Sequence, residues 1–146
     1  MSKLQFSPDI LKRLGEELVP HADQGLIELA KNAYDADATE CTIHLKNVHA
    51  PGGKITISDN GLGMSRSSIE NGWLVLGKSR KAGEHTNRYR RIPVGDKGLG
   101  RLAALRLGRK AILRTRPEEE PGVEHSVTLD WDSYDQALFV EEVPTP

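Results

Sequence analysis

The pattern of apolar residues predicts one long amphipathic helix, in the stretch GLIELAKNAYDADAT at residues 25–39. Its apolar positions recur at helical spacing and are Leu26, Ile27, Leu29, Ala30, Ala33 and Tyr34. Three polar residues, Glu28, Asn32 and Asp35, stand four and then three positions apart, which stacks them along one face. That face is either a solvated surface or a site where Asn32 offers oxygen to a hard cation and Glu28 accepts a proton from water.

The patterns on either side predict an α+β chain. Ser7 is a plausible N-cap for a first helix over residues 7–18, with Pro8 at its first position, and Asp23 is a candidate cap for the main helix. Alternating residues predict an antiparallel hairpin with strands at residues 40–48 and 54–58. The remaining predicted elements are helices over residues 65–76 and 101–107 and strands over residues 109–115, 124–131 and 138–143.

Composition is that of one globular domain in a reducing compartment. The chain has 146 residues, of which 37% are hydrophobic and 28% charged. No apolar run approaches the roughly 20 residues that span a bilayer, and the N-terminus lacks the apolar core of a secretion signal. Cys41, the single cysteine, excludes an internal disulfide and is expected to be a small apolar strand residue. We therefore expect a cytoplasmic protein with no membrane partner.

The formal charge of −1 hides a strong asymmetry along the chain. Residues 78–116 contain thirteen Lys or Arg against two acidic residues, whereas residues 117–146 contain nine acidic residues and no Lys or Arg. The basic segment indicates an anionic partner, either nucleotide phosphates or a nucleic-acid backbone. The acidic end argues against nucleic-acid binding by the whole domain.

The sequence DNGLGM at residues 59–64 follows the second predicted strand. Glycines at Gly61 and Gly63 let the backbone pass close to a ligand or adopt positive φ. Asp59, at the base of a pocket, can accept a hydrogen bond from an exocyclic amine such as that of adenine. The alternative is an ordinary Asx or glycine turn, but this loop leads into a helix and not into a returning strand.

Two further segments indicate phosphate binding. Residues 77–94 are polar and basic without periodicity, and we interpret them as a mobile lid over a ligand. Lys78 at its start is as compatible with a solvated position as with a phosphate contact. The sequence GDKGLG at residues 95–100 opens a predicted helix, whose free N–H groups and positive dipole end favour anions. It has neither P-loop spacing nor the Rossmann order.

These motifs, ExxxNxxDA, then DNGLGM, then GDKGLG, together resemble the GHKL ATPase superfamily over residues 25–108. The superfamily groups gyrase B subunits, chaperones of the ninety-kilodalton heat-shock class, histidine kinases and MutL proteins. The first motif is closest to MutL and gyrase, while VGDKGLGRLAALRLG is most similar to bacterial chaperone-like ATPases. The resemblance implies an α+β two-layer sandwich of the Bergerat type. A mixed, mostly antiparallel sheet would carry helices on one face, and ATP would lie between helices and lid.

The resemblance also implies residue roles. Glu28 matches the general base that activates water, and Asn32 matches the Mg²⁺ ligand. Asp35 matches a supporting residue and Asp59 the adenine-binding aspartate. The remaining residues it implies are Gly61, Gly63 and Met64 around the base, Lys78 and Ser79 near the lid, and Gly95, Lys97, Gly98, Leu99, Gly100 and Arg101 around the phosphates.

Glu28 favours a hydrolase over a histidine kinase, because kinases of this superfamily lack a carboxylate at that position. We therefore expect a chaperone-like or MutL-like module in which Mg-dependent ATP hydrolysis drives a conformational or dimerisation switch. Its expected partners are ATP or ADP, downstream domains of the same chain and a second copy in a homodimer. The alternatives are a nucleic-acid-binding module that uses residues 78–116, or a histidine-kinase-like ATP-binding domain.

The C-terminal part departs from the superfamily pattern. Members usually carry a later strand threonine that supports the adenine aspartate, and Thr128 and Thr145 are weak substitutes for it. We therefore expect a domain that is incomplete at its C-terminus, an N-terminal fragment of a longer protein. Such a fragment would bind nucleotide but turn it over poorly.

Overall fold

The computed structural model describes residues 7–75, 85–95 and 100–135. Its helices are α1 (Asp9–Leu18), α2 (Ala22–Asp35), α3 (Arg66–Ser68), α4 (Gly100–Leu107) and α5 (Trp131–Asp135), with a π-helix at Ile69–Trp73. Its strands are β1 (Cys41–Lys46), β2 (Lys54–Asp59), β3 (Lys110–Thr115) and β4 (His125–Asp130). The predicted strand at residues 138–143 and residues 77–84 of the predicted lid lie outside the described residues.

Helix α2 is the predicted amphipathic helix, and it begins earlier than its apolar pattern indicated. His21 is its N-cap and Asp23 lies in its first turn, so the prediction of Asp23 as the cap is wrong. A carboxylate in the first turn still complements the positive end of the helix dipole. The prediction of Ser7 as the cap of α1 is also wrong, because Pro8 holds that position without a side-chain hydrogen bond.

The strands form two antiparallel hairpins. In the first, Cys41 is opposite Asp59, and in the second, Lys110 is opposite Asp130. Within the described ranges these are two separate two-stranded sheets, so the α+β class is confirmed while a single mixed sheet stays a prediction. None of the helices described is long and apolar enough to cross a membrane.

The main apolar cluster lies on the second hairpin. Alternation along β4 buries Val127 and Leu129, which pack with Ile69 of the π-helix. Strand β1 is exposed along its length, and Cys41 at its start is exposed as well. Helix α4 packs closely on α2, since a Cβ at Gly25 would lie 3.1 Å from Leu107 Cγ. This packing brings the start of α4 beside the polar ridge of α2, the face that carries Glu28, Asn32 and Asp35.

The DNGLGM loop follows the first hairpin in the chain and is hydrogen-bonded to residues of the second. The Met64 amide donates to Thr115 Oγ1 at 2.9 Å, and the Glu118 amide donates to the Leu62 carbonyl at 2.9 Å. Between them Gly63 has φ +70°, and a Cβ there would lie 2.2 Å from the Arg116 carbonyl oxygen. Only glycine fits this position, because both the backbone conformation and the space exclude a side chain.

We expect Gly63→Ala to destabilise the fold far more than an alanine at another left-handed glycine. Gly52 is the matched control, with φ +82° and open space around its missing Cβ. Gly52→Ala should lower the free energy of unfolding by about 1 kcal/mol, the strain of φ alone. Gly63→Ala should lower it by a further 2 kcal/mol, roughly, because the backbone must move. Urea unfolding measures both, and equal losses would contradict the contact with Arg116.

Candidate functional site

Loops from distant parts of the chain meet at the C-terminal end of α2. The Leu62 amide donates to the carbonyl of Ala36, the residue that follows the helix, at 2.8 Å. A Cβ at Gly61 would lie 2.6 Å from the same carbonyl oxygen. The missing side chain at Gly61 therefore lets the DNGLGM loop lie directly on the end of α2.

Asp35, in the last turn of α2, holds the segment that leads into the second glycine loop. Its Oδ1 accepts from the Val94 amide at 2.8 Å, and its Oδ2 accepts from the Gly95 amide at 2.9 Å. A carboxylate that accepts two successive amides fixes both the position and the direction of that backbone. Asp35 thus fixes the backbone at Val94 and Gly95, and its role in a ligand site stays a prediction.

Asn32 faces both ends of the second glycine loop. A Cβ at Gly100 would lie 2.3 Å from Asn32 Nδ2, and one at Gly95 would lie 3.7 Å from Asn32 Oδ1. At Gly95 the same Cβ would also lie 2.7 Å from Asp35 Oδ2. Glycine at both positions leaves room for the carboxamide and keeps backbone close to it. Asn32, Gly95 and Gly100 thus form a polar cradle at the start of α4. Its carboxamide and backbone groups are of the kind that suits a phosphate and a hard cation.

Glu28, one turn before Asn32, forms an ion pair that the sequence analysis missed. Its Oε1 lies 2.7 Å from Lys31 Nζ, and the Glu28 side chain is only 14% exposed. The spacing of three residues along a helix was the available signal. This ion pair orients the Glu28 carboxylate, so Lys31 helps to position the candidate base.

Asp59 ends β2 and accepts from the Gly61 amide through Oδ1 at 2.9 Å. This is an Asx turn, the alternative considered for the motif, and it leaves the carboxylate's role in base recognition a prediction. Asn60 was missed by the sequence analysis. It accepts from the amides of Thr39 and Glu40 at 2.9 and 3.0 Å and so ties the loop to the connection between α2 and β1.

Cys41 lies opposite Asp59 in the hairpin. Although the Cys41 side chain is exposed, its limited loss of solvation, and then the Asp59 charge, raise the pKa of its thiol above the usual value. The thiol is therefore mostly protonated near neutral pH, which makes it a weak nucleophile and a weak metal ligand. Thiolate chemistry at this site is disfavoured.

The structure brings together Asn32, Asp35, Gly95 and Gly100, and it places the loop of Asp59 and Gly61 against the end of the same helix. The Met64 side chain packs on the apolar cluster of the second hairpin. Arg101 lies in the first turn of α4. The predicted site residues outside the described ranges are Lys78, Ser79, Lys97, Gly98 and Leu99.

No group of three or more His, Cys, Asp or Glu that could hold a metal occurs in the part of the chain that the structure describes. A magnesium ion bound through Asn32 would not need such a group. Mg²⁺ commonly takes one or two protein oxygens and completes its shell with phosphate oxygens and water. The cradle of Asn32, Gly95 and Gly100 fits that donor set.

Comparisons with known proteins agree with this architecture. Residues 21–145 match the family described as histidine kinase-, DNA gyrase B- and HSP90-like ATPases. A protein of Herpetosiphon aurantiacus, named as a candidate type II restriction enzyme, HgiDII, is 34% identical over 101 residues. That match covers 69% of this chain and 16% of the relative. No solved structure matches the chain. Because the family match spans most of the chain, the protein belongs to the family of histidine kinase-, gyrase B- and HSP90-like ATPases.

Proposed function

We propose that this domain binds Mg-ATP at the C-terminal end of α2 and hydrolyses it to drive a conformational switch. One observation carries the proposal: the backbone at Gly95 and Gly100 meets Asn32 at the helix end on which the Asp59 loop also lies. Family membership supports ATP as the ligand and ATP hydrolysis as the general activity.

Asp59 recognises the base. One of its carboxylate oxygens accepts from the Gly61 amide, which holds the side chain in place. The carboxylate then accepts a hydrogen bond from the exocyclic amine of adenine, while Gly61 and Gly63 keep side chains out of the base pocket and Met64 lines it. Guanine carries an oxygen where adenine carries that amine, so an acceptor would face an acceptor.

The phosphates bind at the start of α4. This eight-residue helix begins at Gly100, and its first amides and dipole favour a negative charge there. The proposal also assigns phosphate contacts to Gly95, to Gly98, to the amides of Lys97, Leu99 and Arg101, and to Lys78 and Ser79; of these, only Gly95 and Arg101 lie within the described residues. Asn32 holds Mg²⁺, which when bound supplies positive charge to the phosphate oxygens.

Glu28 acts as the general base. It stands one helical turn from Asn32, and its carboxylate accepts a proton from the water that attacks the γ-phosphate. The ion pair with Lys31 orients that carboxylate. Histidine kinases lack a carboxylate at this position, so hydrolysis is favoured over transfer to a histidine.

The switch acts on other parts of a larger assembly. The match covers 16% of the relative named HgiDII, and the proposal assigns the parts that the switch moves to regions outside this match. Downstream domains or a second copy of the chain would close around nucleotide and open after hydrolysis. The name of that relative favours a DNA-processing context over a chaperone client. Separately, we propose that the protein acts in the cytoplasm.

Nucleic-acid binding by residues 78–116 is the second candidate, and the relative's name favours it. Ion pairs weigh against it: Arg88 pairs with Glu118, Arg109 with Asp132 and Arg116 with Glu124. The acidic segment thus neutralises part of the basic one in the folded chain. Phosphate contacts by the remaining charges would give binding that weakens steeply with salt.

Isothermal titration calorimetry with Mg-ATP, Mg-ADP and GTP tests the proposed site. We expect both adenine nucleotides to bind and GTP to bind at least about tenfold more weakly, because GTP loses the hydrogen bond to Asp59. Asn32→Ala should remove the dependence of ATP affinity on Mg²⁺. Equal affinity for ATP and GTP, or no binding of any nucleotide, would contradict the proposal.

A further inference from the structure

Asp37 is an unusual residue two positions beyond α2. Its side chain is fully buried, and its backbone has φ +60°, a conformation that favours glycine. Burial of a carboxylate and a left-handed non-glycine backbone are each unfavourable unless specific contacts compensate. The contacts that compensate for these two costs therefore indicate the structural role of Asp37.

The Asp37 carboxylate is surrounded by one turn of the segment at residues 86–91. Its Oδ2 accepts from the Arg88 amide at 2.7 Å, whereas its buried Oδ1 has no hydrogen-bond partner among the described residues and lies 3.9 Å from the Arg91 guanidinium. Burial alone would raise the pKa of Asp37, but the nearby polar groups of Thr86, Arg88 and Tyr89 and the Arg91 charge outweigh it and hold the pKa below its usual value. The carboxylate is therefore ionised in the folded protein near neutral pH.

Arg91 fastens the other side of this turn to the helix. Its Nε lies 3.9 Å from Asp37 Oδ1, and its Nη1 donates to the Ala38 carbonyl at 2.8 Å and to the Tyr34 carbonyl at 3.1 Å. The guanidinium also lies 4.6 Å from the ring centre of Tyr34 and 4.9 Å from that of Tyr89. Arg91 thus ties the turn both to the last turn of α2, at Tyr34, and to Ala38, three residues beyond the helix.

The turn itself is closed by Thr86 and Arg91. The Thr86 amide donates to the Arg91 carbonyl at 2.9 Å, and the Arg91 amide donates to Thr86 Oγ1 at 2.8 Å. Three residues later the chain reaches Val94 and Gly95, whose amides are held by Asp35. Two aspartates at the end of α2 therefore fix both ends of the segment that delivers Gly95 to Asn32.

We propose that Asp37 is a positioning residue for the phosphate site, an inference that rests on the proposed nucleotide-binding function. By holding residues 86–91 it keeps Gly95 beside Asn32 before nucleotide arrives. Binding then loses less conformational freedom than it would with a loose segment. Asp37 does not touch the nucleotide; it acts through the backbone that does.

Asp37→Gly tests this role, because glycine keeps the left-handed backbone and removes the carboxylate. We expect trypsin to cleave after Arg88, Arg90 or Arg91 about tenfold faster in the nucleotide-free variant, as local opening becomes easier. Affinity for Mg-ATP should fall about tenfold, the effect of losing one hydrogen bond to a charged group. Affinity for adenosine should stay within about twofold, because Asp59 and its loop are unaffected.

Two further variants complete the test. Asn47→Gly is the matched control, since Asn47 has φ +51° in the turn between β1 and β2, and it should leave cleavage and both affinities unchanged. Asp37→Asn keeps an acceptor oxygen and should restore part of the ATP affinity. If circular dichroism shows that the glycine variant is unfolded, Asp37→Asn replaces it in the cleavage and affinity measurements.

The outcomes separate the two proposals. If the wild-type protein binds ATP but Asp37→Gly leaves cleavage and ATP affinity unchanged, Asp37 is only a turn residue and the inference is wrong. Equal losses for ATP and adenosine would also overturn it, because they indicate general destabilisation. If the wild type binds neither ligand, the proposed function fails, and the trypsin experiment alone decides whether Asp37 holds the segment.

Discussion

Asp59→Asn should raise the dissociation constant for Mg-ATP by roughly 100-fold, since a hydrogen bond to a charged group contributes about 1.5–3 kcal/mol. The carboxylate already accepts from the Gly61 amide at 2.9 Å. An asparagine that keeps its oxygen on this amide turns its NH₂ group toward the adenine amine, so a donor faces a donor. The substitution preserves volume, and calorimetry with Mg-ATP measures the effect.

The second hairpin offers a matched control for this variant. Asp130 also ends a strand, and its Oδ1 accepts from the amide two residues later, that of Asp132, at 3.0 Å. Asp130→Asn therefore makes the same chemical change in the same local geometry, away from the proposed site, and should leave ATP affinity unchanged. Similar losses in both variants would refute the role of Asp59. If nucleic-acid binding were the function, both variants should retain it.

Glu28→Gln should lower the rate of ATP hydrolysis by about 10²–10⁴-fold while ATP affinity is kept, the range for removal of a general base. The amide keeps the size of the carboxylate but cannot take a proton from water. The measurement is phosphate release at saturating Mg-ATP, with affinity measured by calorimetry. It uses a preparation that hydrolyses ATP, either this chain or a longer protein that carries it.

Two controls make the Glu28 result specific. Glu17→Gln alters an exposed glutamate on α1 and should leave turnover unchanged. Lys31→Met removes the partner that lies 2.7 Å from Glu28, and it should lower turnover by less than Glu28→Gln because the base remains. Unchanged turnover in Glu28→Gln would show that another group activates the water.

Four of the helical regions and the strands of both hairpins followed from local patterns, whereas α5 did not. The apolar spacing of α2, the alternation of β3 and β4 and the glycine turns all depend on residues a few positions apart. Boundaries were less accurate: the helix predicted from residue 65 is a short α3 (Arg66–Ser68) followed by a π-helix (Ile69–Trp73), and α5 begins at Trp131, the last residue of a predicted strand. At such ends several local conformations have similar energy, so the sequence does not fix the boundary and tertiary packing selects it.

The charge asymmetry indicated an anionic partner for the basic middle, and that stays a prediction. The sequence did not indicate that the basic and acidic segments meet in the folded chain, through ion pairs such as Arg88 with Glu118 and Arg116 with Glu124. The partners stand 30 and 8 residues apart. Charge counts along a chain carry no information on which charges meet after folding.

The sequence by itself determined the family and the polar ridge of Glu28, Asn32 and Asp35, because helical periodicity and motif order are properties of neighbouring residues. Only the tertiary structure decided which backbone reaches that ridge. The Thr115 hydroxyl beneath the Met64 amide and the burial of Asp37 under the Arg88 amide each join residues 51 positions apart. Such contacts depend on how α2, the hairpins and the glycine loops pack, and that packing minimises the free energy of the whole domain, not of any local segment.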